Sequence, residues 1–405
     1  MARILNSAIQ DRLARFWHGI VASPRTAQWA KLARRVINVV MLLYVYFIVA
    51  SAAFNGYVTK WATGADETKY LTVKSELEGT AYKPFAYRHL LADMTNAIDK
   101  IVPAKLKPKI ISQLDKDHAV SKIVNTTASR DPSTAFRAYI LYYLTFAFAW
   151  ASLFVMRMAC QRLDFDTATA TIAPALLLLL FPVFLSQGGY DYDFAELFFM
   201  AAAIWLALAG RWWALLALTL FAAWNKETFA PFAIALYPLL RIRLGRLAAA
   251  STIGGCLVIA AGVLGVLHWR FGGNPGTLAI FWLPDNIRFY GKLYHLLGVE
   301  GTYGITGPRA YSFIVIGLIA VVVKRGWPRM SQPVRRHIII AACINFPLFV
   351  LFCWRAEMRN LSMLSMSFLV LLAASVEAWL IAWRPAPRVG SVGEAGRERL
   401  ATRST

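Results

Sequence analysis

The sequence predicts an all-α, polytopic transmembrane bundle of about ten helices, whose long first outer loop carries short helices of its own. Three observations predict it. The 405 residues are 58% hydrophobic and 16% charged, with a mean hydropathy of +0.50, which leaves too little polar surface for a soluble domain of this size. Several apolar stretches approach or exceed the roughly 20 residues that a helix needs to cross about 30 Å of hydrocarbon. The cations gather in the N-terminal arm, between apolar runs and at the C-terminus, as a topology signal does. That placement accounts for the formal net charge of +21 without a nucleic-acid partner, and no RNA- or DNA-binding motif is present.

Residues 1–35 carry seven Lys/Arg and one acid, and Arg12, Arg15 and Lys31 interrupt their apolar content. This segment reads as a basic amphipathic cytoplasmic arm, kinked at Pro24. The transmembrane domain covers 36–383. Its first span is 36–56, followed by a polar outer loop, 57–135, and by spans near 136–157 and 167–187. Apolar runs near 194–209, 212–224 and 228–240 come next, then spans near 247–268, 310–323, 337–354 and 361–383. Residues 384–405 read as a disordered cytoplasmic tail.

The loop charges orient this scheme. With the N-terminus inside, the inner connections hold Arg157 and Arg162, then Arg211, then Arg241, Arg243 and Arg246, then Lys324, Arg325, Arg329, Arg335 and Arg336. The short outer loops are poorer in cations, as the positive-inside rule requires. A single long helix over 212–240 would reverse every later loop and is disfavoured for that reason. The 13 residues of 212–224 reach only about 20 Å. Either this piece is tilted or Asn225-Lys226-Glu227 sits below the outer surface. Both place charge in a protein-lined cavity, because lipid tolerates no irregular backbone.

Four charged clusters then share the outer side. The first loop supplies Asp66 and Glu67, and further on Arg88 within Tyr82-Lys83-Pro84-Phe85-Ala86-Tyr87-Arg88-His89-Leu90. Gly188-Gly189-Tyr190-Asp191-Tyr192-Asp193-Phe194-Ala195-Glu196 sets three carboxylates between strongly apolar runs. Asn225, Lys226 and Glu227 form the third cluster; Arg355, Glu357 and Arg359 form the fourth. Charges at such places are costly and mark functional sites by default. Each cluster also has a plainer explanation. Asp66-Glu67 suits a solvated helix start, and Asp191, Asp193 and Glu196 suit charges complementing a helix dipole. Lys226-Glu227 suits a structural ion pair, and Arg355, Glu357 and Arg359 suit ordinary interfacial charges.

Carboxylates act as general bases or hold hard divalent cations, and Lys and Arg bind phosphate. A face holding both fits a substrate with an anionic leaving group at a membrane surface. On this reading Arg88, Lys226, Arg355 and Arg359 bind the phosphate. Asp191, Asp193, Glu196 and Glu227 contact substrate or a divalent cation (Mg or Mn), with Asp191 and Asp193 the expected metal ligands. The four cysteines lie in or beside apolar runs and form no CxxC, as small buried hydrophobes do. No P-loop, GxSxG, HExxH or dinucleotide fingerprint is present.

The text Asp66-Glu67-Thr68-Lys69-Tyr70-Leu71, a spacer, then Arg88 resembles the D-E-x-x-Y-L…R pattern of mannosyl- and aminoarabinosyl-transferase-like members of the GT-C superfamily of integral-membrane glycosyltransferases. The likeness covers mainly residues 36–230 and includes the topology of a first span followed by a long outer loop. It implies a GT-C-like fold, with Asp66 as general base or metal-site residue and Glu67 second. Acidic residues in the second outer loop are common in that superfamily; Asp191 and Asp193 stand there as a D-x-D. The Asn-Lys-Glu-Thr element and the Tyr-Asp…Glu stretch are also similar to bacterial multi-pass membrane proteins without assigned activity.

The leading functional expectation is therefore a glycosyltransferase in the bacterial inner (plasma) membrane, with both termini cytoplasmic. It would pass a sugar from a polyprenyl-phosphate carrier to a lipid or surface-glycan acceptor at the outer face, with Asp66, Glu67 and Asp191 as catalytic acids. The alternatives are a transporter or flippase for an anionic lipid or polysaccharide, and a non-catalytic subunit of an envelope-assembly complex.

Overall fold

The computed structural model describes residues 24–60, 72–116, 132–186, 188–277 and 279–383. Asp66, Glu67, most of the expected basic arm and the tail 384–405 lie outside the described residues. Among the described residues the regular structure is helical apart from one short hairpin. Seven helices among the described residues are long and apolar enough to cross a membrane, fewer than the roughly ten expected.

Helix α1, Pro24–Val58, is continuous, so residues 24–35 are its opening turns rather than a separate surface helix. The first loop contributes α2 (Val73–Leu77), α3 (Leu90–Ile101) and α4 (Lys107–Leu114). Then come α5 (Pro132–Arg162), α6 (Thr167–Leu180) and α7 (Tyr192–Ala209). Asp166 starts α6 by accepting the Thr169 N–H at 2.8 Å, and Gly210, at φ +70°, ends α7 in the left-handed region that only glycine adopts at little cost.

The expected spans near 212–224, 228–240 and 310–323 fall short. α8 (Trp212–Asn225) has 14 residues, about 21 Å. The next stretch is broken into α9 (Phe229–Ala235) and α10 (Tyr237–Leu240), because Pro238 restricts the residue before it and has no N–H to give. α11 (Arg246–Phe271) is a full span. Outside the bundle lie α12 (Leu283–Tyr290) and an antiparallel hairpin, β1 (Val299–Thr302) with β2 (Ile305–Pro308). α13 (Phe313–Gly326) is again 14 residues long. α14 (Gln332–Phe352) and α15 (Ser365–Trp383, entered by a 3-10 segment, Met358–Leu364) complete the chain.

α7 is the hub. In its most apolar stretch 83% of residues are buried, against at most 44% in any other span. It packs most extensively on α5, then on α8, and touches α15. Ala201, Ala202, Ala203 and Ala207 let those neighbours approach closely, which is how helices associate where lipid removes the hydrophobic drive between them. α1 and α11 lie at the edge; Val258 and Trp269 of α11 are among the most exposed apolar side chains.

The first loop is clamped to the far end of α11. Asn274 donates to the Gly79 and Ala81 carbonyls at 2.8 and 2.9 Å, and Arg270 pairs with Asp93 at 2.9 Å. Lys83 bridges to Gly276. This holds the 79–93 segment over the ends of α7 and α8.

One contact tests the helix packing. A Cβ added at Gly326 would sit 2.6 Å from the Leu371 carbonyl oxygen of α15, a backbone atom that cannot move aside alone. Gly326→Ala is expected to destabilise the protein by about 1–3 kcal/mol. Gly262→Ala on α11, which meets open space, is expected to stay within about 0.5 kcal/mol. Thermal unfolding in detergent compares the two.

Candidate functional site

Tyr192 opens α7, where four separated parts of the chain meet. Its hydroxyl oxygen accepts from Arg88 Nη1 at 2.6 Å and from Arg359 Nη1 at 3.3 Å. The Arg88 guanidinium lies 4.9 Å and the Lys226 ammonium 5.4 Å from its ring centroid. A phenol suits this position: an apolar body inside the bundle and a polar tip among cations.

Three cations surround it, each paired. Lys226 follows the last residue of α8 and is 1% exposed. Its Nζ lies 2.7 Å from Glu196 Oε2 and 3.8 Å from Asp193 Oδ1. Glu196 is one turn into α7 and completes its lone pairs by accepting the hydroxyls of Thr228 (2.5 Å) and Ser362 (2.7 Å). Arg359, from the 3-10 segment before α15, pairs with Asp193 at 3.4 Å and Glu357 at 3.5 Å and stacks 4.2 Å from the Tyr190 ring centroid. Asp193 Oδ2 accepts the Tyr190 N–H at 2.9 Å. Arg88 forms a two-pronged pair with Glu227, Nε to Oε2 at 3.0 Å and Nη2 to Oε1. Burial alone would raise the Glu227 carboxyl; the Arg88 guanidinium beside it outweighs that and holds it down at about 2.

Glu227 is the loosest member of the network. Its side chain is 37% exposed, whereas those of Asp193 and Glu196 are 2% and 5% exposed. The guanidinium it covers is thus the cation an incoming anion can reach with least rearrangement.

Two buried acids have incomplete partners. Both carboxyl oxygens of Glu76, on α2, lack a hydrogen bond, as does Asp191 Oδ1. Burial, and then the Asp191 charge, push the Glu76 carboxyl well up. Burial, and then Asp193, push Asp191 up to about 7. Arg359 Nε and Asn225 Oδ1 also lack partners, so the polar core is not internally satisfied.

The structure thus brings together Arg88, Asp191, Asp193, Glu196, Lys226, Glu227 and Arg359. Arg355 is elsewhere: it is exposed, with its guanidinium 5.6 Å from the Trp354 ring centroid and 5.9 Å from that of Phe289. Asp66 and Glu67 lie outside the described residues. The pair Asp191 and Asp193 does not fit a resident divalent cation, because Asp193 is already engaged by Arg359, Lys226 and an amide. Among the described residues no group of three or more His, Cys, Asp or Glu is placed to hold one. Glu76, Tyr190, Tyr192, Thr228 and Ser362 are the members that sequence reasoning missed as site residues. The two tyrosines flank the acids in the stretch Gly188–Glu196; Glu76 had no signal, as a charge in a short polar segment is ordinarily solvated.

Two outcomes follow from burial. Lys226→Met leaves Glu196 and Asp193 without their ammonium and is expected to cost about 3–5 kcal/mol, whereas Arg355→Met is expected to stay within about 0.5 kcal/mol; thermal unfolding in detergent compares them. Asp191 prefers its protonated form when folded, so the wild type binds more protons folded than unfolded between about pH 4 and pH 7 and loses stability as pH rises through that window. Asp191→Asn lacks this loss. Its stability relative to wild type is expected to improve across that window and level off above it, read as melting temperature against pH. Comparison of the chain with family models, with curated proteins and with solved structures finds no match to any of them.

Proposed function

We propose that the protein is a membrane glycosyltransferase that takes a sugar from a polyprenyl-phosphate carrier at the outer face of a bacterial inner membrane and passes it to a lipid or glycan acceptor. The observation that carries this reading is the meeting of Arg88, Lys226 and Arg359 with under-partnered Asp191 and Glu76 at one end of a lipid-embedded bundle. Lipid-linked phosphate needs buried cations, and an acceptor hydroxyl needs a base.

Arg88 is the phosphate ligand in this reading. Its forked donors match two phosphate oxygens, and Glu227 swings aside toward solvent to release them. Lys226 and Arg359 stay paired and add positive field behind it. The acceptor oxygen attacks the anomeric carbon and the bond from that carbon to the phosphate oxygen breaks. The phosphate leaves with the bonding electrons, and the hydroxyl proton passes to a carboxylate. Asp191, poised near neutrality and short of a partner, suits that proton. The superfamily resemblance gives the same role to Asp66, with Glu67 second.

The test is transfer from labelled polyprenyl-phosphate sugars to membrane lipids by the purified full chain. Arg88→Gln and Asp191→Asn are each expected to lower turnover about 100-fold or more while remaining monodisperse and helical. Absence of transfer from every donor in a panel of hexose, pentose and amino-sugar carriers overturns the reading. So does unchanged turnover in both variants.

A second reading, a proton-coupled carrier of an anionic lipid or polysaccharide, is favoured by one feature: two buried acids with unpartnered carboxyl oxygens are what proton relays use. Proteoliposomes distinguish the two, since a carrier moves its substrate unmodified and acidifies or alkalinises the lumen as it does so.

A further inference from the structure

At the opposite end of the bundle α10 ends beside the start of α14. Between them lies a groove of about 400 Å³. Arg241 and Arg336 flank it, Gln332 adds an amide, and Ile242, Ile339 and Ile340 supply apolar walls. No carboxylate lines it. Arg241 and Arg336 are both exposed, and neither guanidinium has a hydrogen-bond or ion-pair partner among the described residues. Arg335 next door differs: its guanidinium donates to the Trp327 and Pro328 carbonyls. The groove therefore holds two guanidinium groups that none of the described residues neutralises, beside Ile242 and Ile339, which are about half exposed, and the less exposed Ile340.

These features go together only for one kind of occupant. Ile339 lies on a membrane-spanning helix, two turns from its start, and faces outward where acyl chains lie. The start of α14 adds the positive end of a helix dipole on the same side as the arginines. A soluble anion would use the arginines and leave the isoleucines wet. A zwitterionic lipid would cover the isoleucines and bring a second cation to the arginines. An anionic diacyl phospholipid satisfies both, with its phosphodiester between Arg241 and Arg336 and one chain along Ile339 and Ile340. The tail 384–405 is a poor rival, because it carries five arginines against two glutamates.

We propose that this groove is a binding site for the phosphate headgroup of an anionic phospholipid. The site is independent of the proposed transfer reaction: α14 runs 21 residues, about 30 Å, before the chain reaches Arg359. It fixes how the bundle is seated in the leaflet facing the arginine-rich loops.

Native mass spectrometry of the full chain in non-ionic detergent tests it, with dioleoylphosphatidylglycerol and dioleoylphosphatidylcholine added in equal amount. The expected result is preferential retention of phosphatidylglycerol by wild type. The preference should fall about fivefold in Arg241→Gln or Arg336→Gln and nearly vanish in the double variant. Arg243→Gln, an exposed arginine two residues from Arg241 that does not line the groove, should keep it. All of these residues are exposed, and monodisperse elution with unchanged helicity verifies folding. Equal retention of both lipids by wild type overturns the proposal. So does full preference in the double variant, or displacement of bound lipid by an equal concentration of glycerol phosphate, which would make the groove a soluble-anion site.

Discussion

The ion pair of Lys226 with Glu196 sets the terms for the rest of the structure. An ammonium 1% exposed inside a lipid-embedded bundle has no water to hydrate it, so carboxylates must be brought to it. Glu196 comes from α7 and Lys226 from just beyond α8; the hydroxyls that complete Glu196 come from Thr228 and from Ser362 ahead of α15. These ends are thereby held at one level in the membrane. Arg359 and Arg88 extend the same constraint through Asp193, Tyr192 and Glu227 to the first loop. Removing Lys226 leaves Glu196 as a buried, uncompensated charge.

Helix packing makes that convergence reachable. The alanines of α7 let α5 and α8 come close, and Gly326 lets α13 lie against the α15 backbone. α8 is too short to span and α9–α10 is broken, so Asn225–Thr228 turns inside the protein rather than at its surface. Irregular backbone at that depth is tolerated because protein covers it. The clamp between 79–93 and the end of α11 then roofs the cluster.

This accounting of charges stays open at a few places. Most acids in the cluster have full partners. Glu76 and Asp191 do not, and both are pushed toward the protonated state by burial. Arg88 has a partner, but one that reaches solvent. In the proposed reaction an acid that takes a proton and a guanidinium that exchanges its anion would be the two movable parts in an otherwise locked network.

Much of this was legible in the sequence. Apolar runs of span length, such as 36–56 and 361–383, announce themselves because lipid demands about 20 apolar residues whatever the neighbours are. The charges of Asp191–Glu196 and Asn225–Glu227 stand out for the converse reason, since they interrupt such runs. Composition alone did not separate full spans from the short pieces near 212–224, 228–240 and 310–323. It also did not show that residues 24–35 extend the first helix. What only the tertiary structure decided is which charges face one another. Arg355 and Arg359 are four residues apart, a spacing that would share a face on an α-helix. The chain there is a turn leading into a 3-10 segment, so one guanidinium points to the surface and the other into the cluster. Glu76 lies in a five-residue helix, too short for periodicity to reveal an inward face, and is buried by segments remote in sequence. The sequence determines which groups lipid will not tolerate; the fold alone determines which of them meet, because pairing depends on distances between segments that no local pattern encodes.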